Sequence, residues 1–119
     1  MAKVDPKEGK YKLGGSKDAD LEGIDDKKYN VFTDEEKLAN AKRDFPTYTW
    51  FASYTIQDKN GNNVRELAEY TIKFDKPDVD NFQFYYYLNG QAYPLPHEVD
   101  NKRAKVKLKV GDPPTGTVP

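Results

Sequence analysis

Residues 82–95, FQFYYYLNGQAYPL, decide how this chain is read. Phe82, Phe84, Tyr86 and Leu88 alternate with Gln83, Tyr85 and Tyr87, the period of two in which successive side chains of a strand point to opposite faces. Asn89-Gly90 follows, the pair that a two-residue hairpin turn favours because both turn positions take positive φ. A return strand then begins at Gln91. Pro94 and Pro96 end it early or place it at a sheet edge, where a missing N–H costs no ladder bond.

The segments on either side read as partners for this hairpin. Over residues 47–57 Tyr48, Trp50, Ala52, Tyr54 and Ile56 share one side and Thr47, Thr49, Ser53 and Thr55 the other, with Phe51 an aromatic on the polar side. Asp58 to Asn62 is a turn, after which Val64, Ala68, Tyr70, Ile72 and Phe74 form the inward set of another strand. Glu66 interrupts that set, which predicts a bulge or a strand end beyond the core. Beyond the hairpin, Ala104, Val106, Leu108 and Val110 point inward while Arg103, Lys105, Lys107 and Lys109 point outward, a row of cations suited to an exposed edge. The pattern predicts a mainly β fold, an antiparallel β-sandwich of immunoglobulin-like architecture with about five to seven strands over residues 31–111. The term denotes architecture alone, because the Cys and Trp spacing of antibody domains is absent.

One short α-helix is expected on the N-terminal side of this domain, over residues 33–45. Thr33 and Glu36 have the spacing of a capping box, acids open the segment and Lys42-Arg43 close it, and Leu38, Ala41 and Phe45 make a narrow apolar stripe. Pro46 disfavours helical geometry at Phe45 and stops it. Residues 1–30, rich in Lys, Asp, Glu and Gly, read as an extended polar arm that buries too little surface to order itself, with Tyr11, Leu13, Leu21 and Ile24 as its docking points. Residues 112–119, with three prolines and two threonines, read as a tail or linker.

The 119 residues are enough for one modest core. Lys and Arg number 19 against 20 Asp and Glu, a formal charge of -1, which argues against duplex nucleic acid as the main partner because such binding needs a positive surplus. No apolar run approaches the roughly 18 residues of a spanning helix, so a soluble chain without a membrane span is expected. The first residues lack the apolar core of a secretory signal, and virion, cytoplasmic and extracellular settings all stay open. There is no cysteine, which excludes disulfides and thiolate chemistry.

Few residues suggest reaction chemistry, and no enzyme activity or cofactor is expected. His97 is the sole histidine; His97-Glu98 begins like a zinc-protease helix but lacks its second histidine. Gly14-Gly15-Ser16-Lys17 lacks the spacing and the strand-to-helix context of a phosphate-binding loop, and a flexible joint is the plainer reading. Asp18, Asp20 and Glu22 followed by Gly23 match the opening of a calcium loop, yet its twelfth position, which needs a bidentate Glu, is Tyr29. The plain reading of these acids is a solvated arm.

The most informative surface is aromatic and basic together. If the inward faces form the core, Phe51, Tyr85 and Tyr87 remain outside with Lys105 and Lys107 near them, and Tyr11 and Leu13 add contacts from the arm. The competing reading has this face covered by the helix or the arm. The leading expectation is a non-catalytic structural module that docks on a larger assembly, as a virion decoration or accessory subunit, with a protein partner or by self-assembly. An extracellular carbohydrate-binding or adhesive module is the alternative, with a glycan as ligand. Single-stranded nucleic-acid binding through stacking and the Lys row comes third.

Overall fold

The computed structural model describes residues 1–13, 19–50, 53–88, 90–110 and 115–118. In chain order they form β1 (Ala2–Val4), β2 (Lys10–Leu13), β3 (Ala19–Glu22), β4 (Tyr29–Thr33), α1 (Glu35–Asp44), β5 (Thr49–Trp50), β6 (Tyr54–Asp58), β7 (Glu66–Asp75), β8 (Gln83–Leu88), β9 (Gln91–Leu95), β10 (Glu98–Asp100), β11 (Arg103–Val110) and β12 (Thr115–Val118). The fold is mainly β and the strands pair antiparallel in three sheets, ordered β1-β4-β6, β10-β11-β7-β3-β2 and β5-β12-β8-β9.

The five-stranded sheet makes one layer of a sandwich-like body. Its inward side carries Tyr11, Leu13, Leu21, Tyr70, Ile72, Phe74, Ala104, Val106 and Leu108, all buried, and the other two sheets close over it with Val31, Tyr54, Ile56 and Phe84. Phe74 stacks on Phe84 with ring centres 5.1 Å apart, and the Tyr54 and Tyr70 hydroxyls lie 2.7 Å apart inside the core. Burial of these side chains from both layers is the main stabilising term, since each large apolar group contributes about 1.5–3 kcal/mol.

The organising hairpin forms as its sequence predicts. Leu88 pairs with Gln91, which leaves a two-residue turn, and Gly90 has φ +81°. Pro94 falls in β9, an edge strand of its sheet. The bulge expected near Glu66 also appears: the register between β7 and β11 shifts between Leu108 and Val110, where Val110 faces Glu66. Gly23 has φ +89°, a left-handed conformation that glycine takes without strain where the chain leaves β3.

Elsewhere the structure corrects the sequence reading. Residues 1–30 do not form an extended arm: they supply β1, β2, β3 and the start of β4. KYKL and ADLE each turn two apolar residues inward, and Leu21 pairs with Ile72 and Ala19 with Phe74 in the β7 ladder. Pairing with a longer strand shares an ordering cost that the segment could not meet alone. The strand expected over residues 47–57 is split, with β5 in one sheet and β6 in another, so Trp50 and Tyr54 enter different clusters. Ala68, expected inside, is exposed.

The helix starts at Glu35 rather than residue 33, and four strands precede it. Asp34 is its N-cap, its carboxylate accepting from the Lys37 backbone N–H at 3.2 Å, while Thr33 stays in β4 and its hydroxyl donates to the Ala2 carbonyl. An acidic side chain at the cap also suits the helix dipole, which accounts for the cap lying at Asp34 rather than Thr33. The cationic row of β11 is only partly on an edge: β10 pairs outside its Arg103–Lys105 end and leaves the Lys107–Lys109 end beyond that pairing. Within residues 112–119, Thr115–Val118 form β12, which lies between β5 and β8 rather than acting as a tail. The strands exceed the expected five to seven because the segments read as arm and tail contribute β1, β2, β3 and β12, the segment over residues 47–57 splits into β5 and β6, and β4 and β10 form besides.

Candidate functional site

Gln83, Tyr85 and Tyr87 face away from the main core, because the alternate residue Phe84 is buried within it. Helix α1 packs on this outer side. Ala41, Trp50 and Tyr87 are buried there, and Leu38, Phe45 and Tyr48 pack against them. The rings form a continuous cluster: Phe45 to Tyr48 at 5.1 Å, Tyr48 to Trp50 at 5.6 Å and stacked, Tyr48 to Tyr85 at 5.1 Å, and Trp50 edge-on to Tyr87 at 6.0 Å. Trp50 and Tyr87 make the floor, and the partly buried Phe45, Tyr48 and Tyr85 make a rim at the surface.

Polar contacts lock the floor to the helix. The Trp50 indole N–H donates to the Phe45 carbonyl at 3.1 Å, which fixes the chain where the helix ends. The Tyr87 hydroxyl donates to the Asp44 carboxylate at 2.5 Å. That bond, reinforced by Arg43, holds the Asp44 carboxyl below the usual carboxylate range, and the same carboxylate pushes the Tyr87 hydroxyl up. A rim fixed on such a floor has little rotamer freedom left to lose on binding.

A second aromatic pair lies on the hairpin. Tyr86 and Tyr93 face each other across β8 and β9 and stack at 5.0 Å, and Tyr93 is 39% exposed.

The outer face of the five-stranded sheet is charged instead. Glu22 lies between Lys73 (2.9 Å) and Lys10 (3.5 Å), Arg103 reaches both Asp75 (2.7 Å) and Asp20 (3.2 Å), and Lys105 pairs with Glu98 (3.5 Å). Lys73 and then Lys10 hold the Glu22 carboxyl below its ordinary pKa. A shallow concavity of about 610 Å³ lies among these groups.

Of the residues singled out from sequence, Tyr85 is on the rim. Tyr87 is not a free contact: α1 covers it, as the competing reading had it. Phe51 lies outside the described residues, as do Asp18 and the Gly14-Gly15-Ser16-Lys17 stretch. Tyr11 and Leu13 are each 1% exposed in the main core and present nothing to a partner. Burial pushes the Tyr11 hydroxyl up, with Asp26 and Asp25 adding to the shift.

Lys105 and Lys107 are on the outer face of the five-stranded sheet, away from the aromatic cluster. Asp20 and Glu22 project from a strand rather than a loop and are held by Arg103, Lys73 and Lys10, so these two do not open a calcium shell. His97 stacks on Phe82 at 4.2 Å in the two-residue link between β9 and β10, and Glu98–Asp100 is a strand, which removes the zinc-helix reading.

Phe45 and Tyr48 were missed as rim residues. The signal was Pro46, which ends the helix and turns both rings onto the sheet. Among the described residues no group of three or more His, Cys, Asp or Glu could hold a metal ion, and no helix is long and apolar enough to cross a membrane. No family model, no curated protein and no solved structure matches the chain.

Proposed function

We propose that this chain is a non-catalytic interaction module, an immunoglobulin-like sandwich that docks on a larger assembly as an accessory or decorating subunit. The observation that carries the reading is the aromatic rim of Phe45, Tyr48 and Tyr85, partly buried above a floor of Trp50 and Tyr87 that hydrogen bonds tie to α1. Aromatic groups fixed in this way supply large contact area at low entropic cost, the property of anchor residues in protein interfaces. The acids of the charged face support the non-catalytic part. Glu22 is held ionised beside Lys73 and Lys10, the opposite of the raised pKa that a general acid needs.

The test is affinity capture from the native source with the intact chain and two variants, Tyr85→Ser on the rim and Tyr93→Ser on the hairpin. The reading expects a partner retained by the intact chain and by Tyr93→Ser and lost by Tyr85→Ser. A partner set unchanged by Tyr85→Ser refutes it.

The Tyr86–Tyr93 pair supports a second reading, in which a glycan ring stacks on the exposed face of Tyr93. A glycan array that responds to the intact chain and not to Tyr93→Ser would favour it. Single-stranded nucleic acid has less support, because Asp20, Asp75, Glu22 and Glu98 interleave with the bases and break any continuous positive track.

A further inference from the structure

The outward side chains of the five-stranded sheet stand in rows. Across β10-β11-β7-β3-β2 one row reads Glu98, Lys105, Lys73, Asp20, Lys12, and the neighbouring row reads Lys107, Thr71, Glu22, Lys10 from β11 to β2. These residues face away from the core, because the alternates Ala104, Val106, Ile72, Leu21 and Tyr11 are buried. Strand β11 therefore carries bases and β3 carries acids, at equal heights on the two sides of β7.

We propose that this face binds a second copy of the chain, face to face, about a two-fold axis running along β7. Such an axis preserves height and exchanges sides, so that β11 of each copy lies over β3 of the other. Lys105 then meets Asp20, Lys107 meets Glu22, and Glu98 meets Lys12, each contact occurring twice by symmetry. Opposite charges meet at all three positions without any adjustment of register. On the axis each outward residue of β7 faces its own copy: Lys73 and Asp75 do so as halves of ion pairs, with Glu22 at 2.9 Å and Arg103 at 2.7 Å, while the exposed Glu69 meets Glu69, a like-charge contact that weakens the dimer.

The groups remain open to a second partner. The Lys105 and Glu98 side chains are 39% and 66% exposed, the ion-paired Asp20 and Glu22 keep 24% and 23%, and a carboxylate can accept from two cations at once. Five strands at about 4.8 Å and five residues at about 3.3 Å give a patch of roughly 400 Å² per copy, about half that of a standard stable interface. The result is a weak dimer that salt dissociates, since contacts between exposed charges are screened. The inference is independent of the aromatic rim, which lies on the other layer.

Sedimentation velocity on the full chain tests it, at about 0.01 M and about 1 M salt, where the Debye length falls from about 30 Å to about 3 Å. The low-salt sample is expected to associate and the high-salt sample to dissociate. Two charge-reversed chains carry the argument further, Lys105→Glu with Lys107→Glu, and Asp20→Lys with Glu22→Lys. Each alone is expected to associate at least about tenfold more weakly, because like charges meet twice.

Their equimolar mixture is expected to regain the dimer, because both sets of contacts are attractive again. If a reversed chain loses its far-ultraviolet dichroism, the neutral versions, Lys105→Gln with Lys107→Gln and Asp20→Asn with Glu22→Gln, take its place and are expected to weaken association and its salt dependence. A wild-type chain monomeric at about millimolar concentration in low salt overturns the proposal. So does association unchanged in the variants, or a mixture no tighter than either variant alone.

Discussion

Phe74 and Phe84 sit on β7 and β8, in opposite layers, both 0% exposed and stacked at 5.1 Å. Truncating either to alanine removes a large buried ring and leaves a cavity, which costs about 3–5 kcal/mol. That is a large share of the about 5–15 kcal/mol by which a domain of this size is stable. With an unfolding entropy of about 2.1 cal/mol/K per residue, 119 residues give about 0.25 kcal/mol/K, so Tm should fall by about 12–20 °C. The stacked geometry adds a pairwise term, so the double variant should cost less than the two singles together by about 0.5–1.5 kcal/mol.

Urea unfolding followed by far-ultraviolet dichroism measures this. The fluorescence of Trp50, the one tryptophan, reports the helix-side cluster in the same experiment, so coincident transitions would show that both clusters unfold together. Additive single effects, or a cost below about 1 kcal/mol for either ring, would refute the stacking of the two layers.

Leu21→Ala should cost about 2–5 kcal/mol by urea unfolding, because Leu21 is fully buried in β3; a cost of a few tenths would return residues 19–22 to the solvent. Removing residues 112–119 takes away β12, the hydrogen-bonding neighbour of both β5 and β8, and should lower Tm and shift Trp50 emission to the red, with unchanged emission counting against the pairing. Acid should destabilise the chain through Glu22. Its folded pKa lies below the unfolded value of about 4.5, so its contribution is complete above that value and is lost as pH falls through the folded pKa. Glu22→Gln should flatten that part of an acid unfolding curve, and an unchanged curve would contradict the Lys73 and Lys10 pairing. Tyr87→Phe should raise the Asp44 pKa, read by carboxyl carbon NMR titration, because it removes the first of the donors that hold it down.

Particular residues explain what the sequence made legible. The β8–β9 hairpin could be read because Asn89-Gly90 is a turn signal with a backbone reason, and β7 and β11 because each runs long enough for alternation to repeat. Strands β2 and β3 could not, since four residues holding two apolar side chains among Lys, Asp and Glu look the same as a solvated arm until β7 is there to pair with them. The break between β5 and β6 was hidden because both segments keep the same alternation while entering different sheets. Thr115–Val118, flanked by prolines, has the composition of a linker and becomes a strand because β5 and β8 have open edges to fill. In the aromatic cluster, parity placed Tyr85 on the face away from the main core. Tyr87 was misplaced because parity gives a face and does not say whether a helix covers it.

Amide hydrogen exchange in Lys10–Leu13 and Ala19–Glu22 is the most direct test, since both the sandwich and the charged face of β3 and β11 require these two strands inside the sheet. The amides of β3, between β2 and β7, should show protection approaching that of β7 itself. Complete exchange in the first seconds, as for an unstructured arm, would contradict the account.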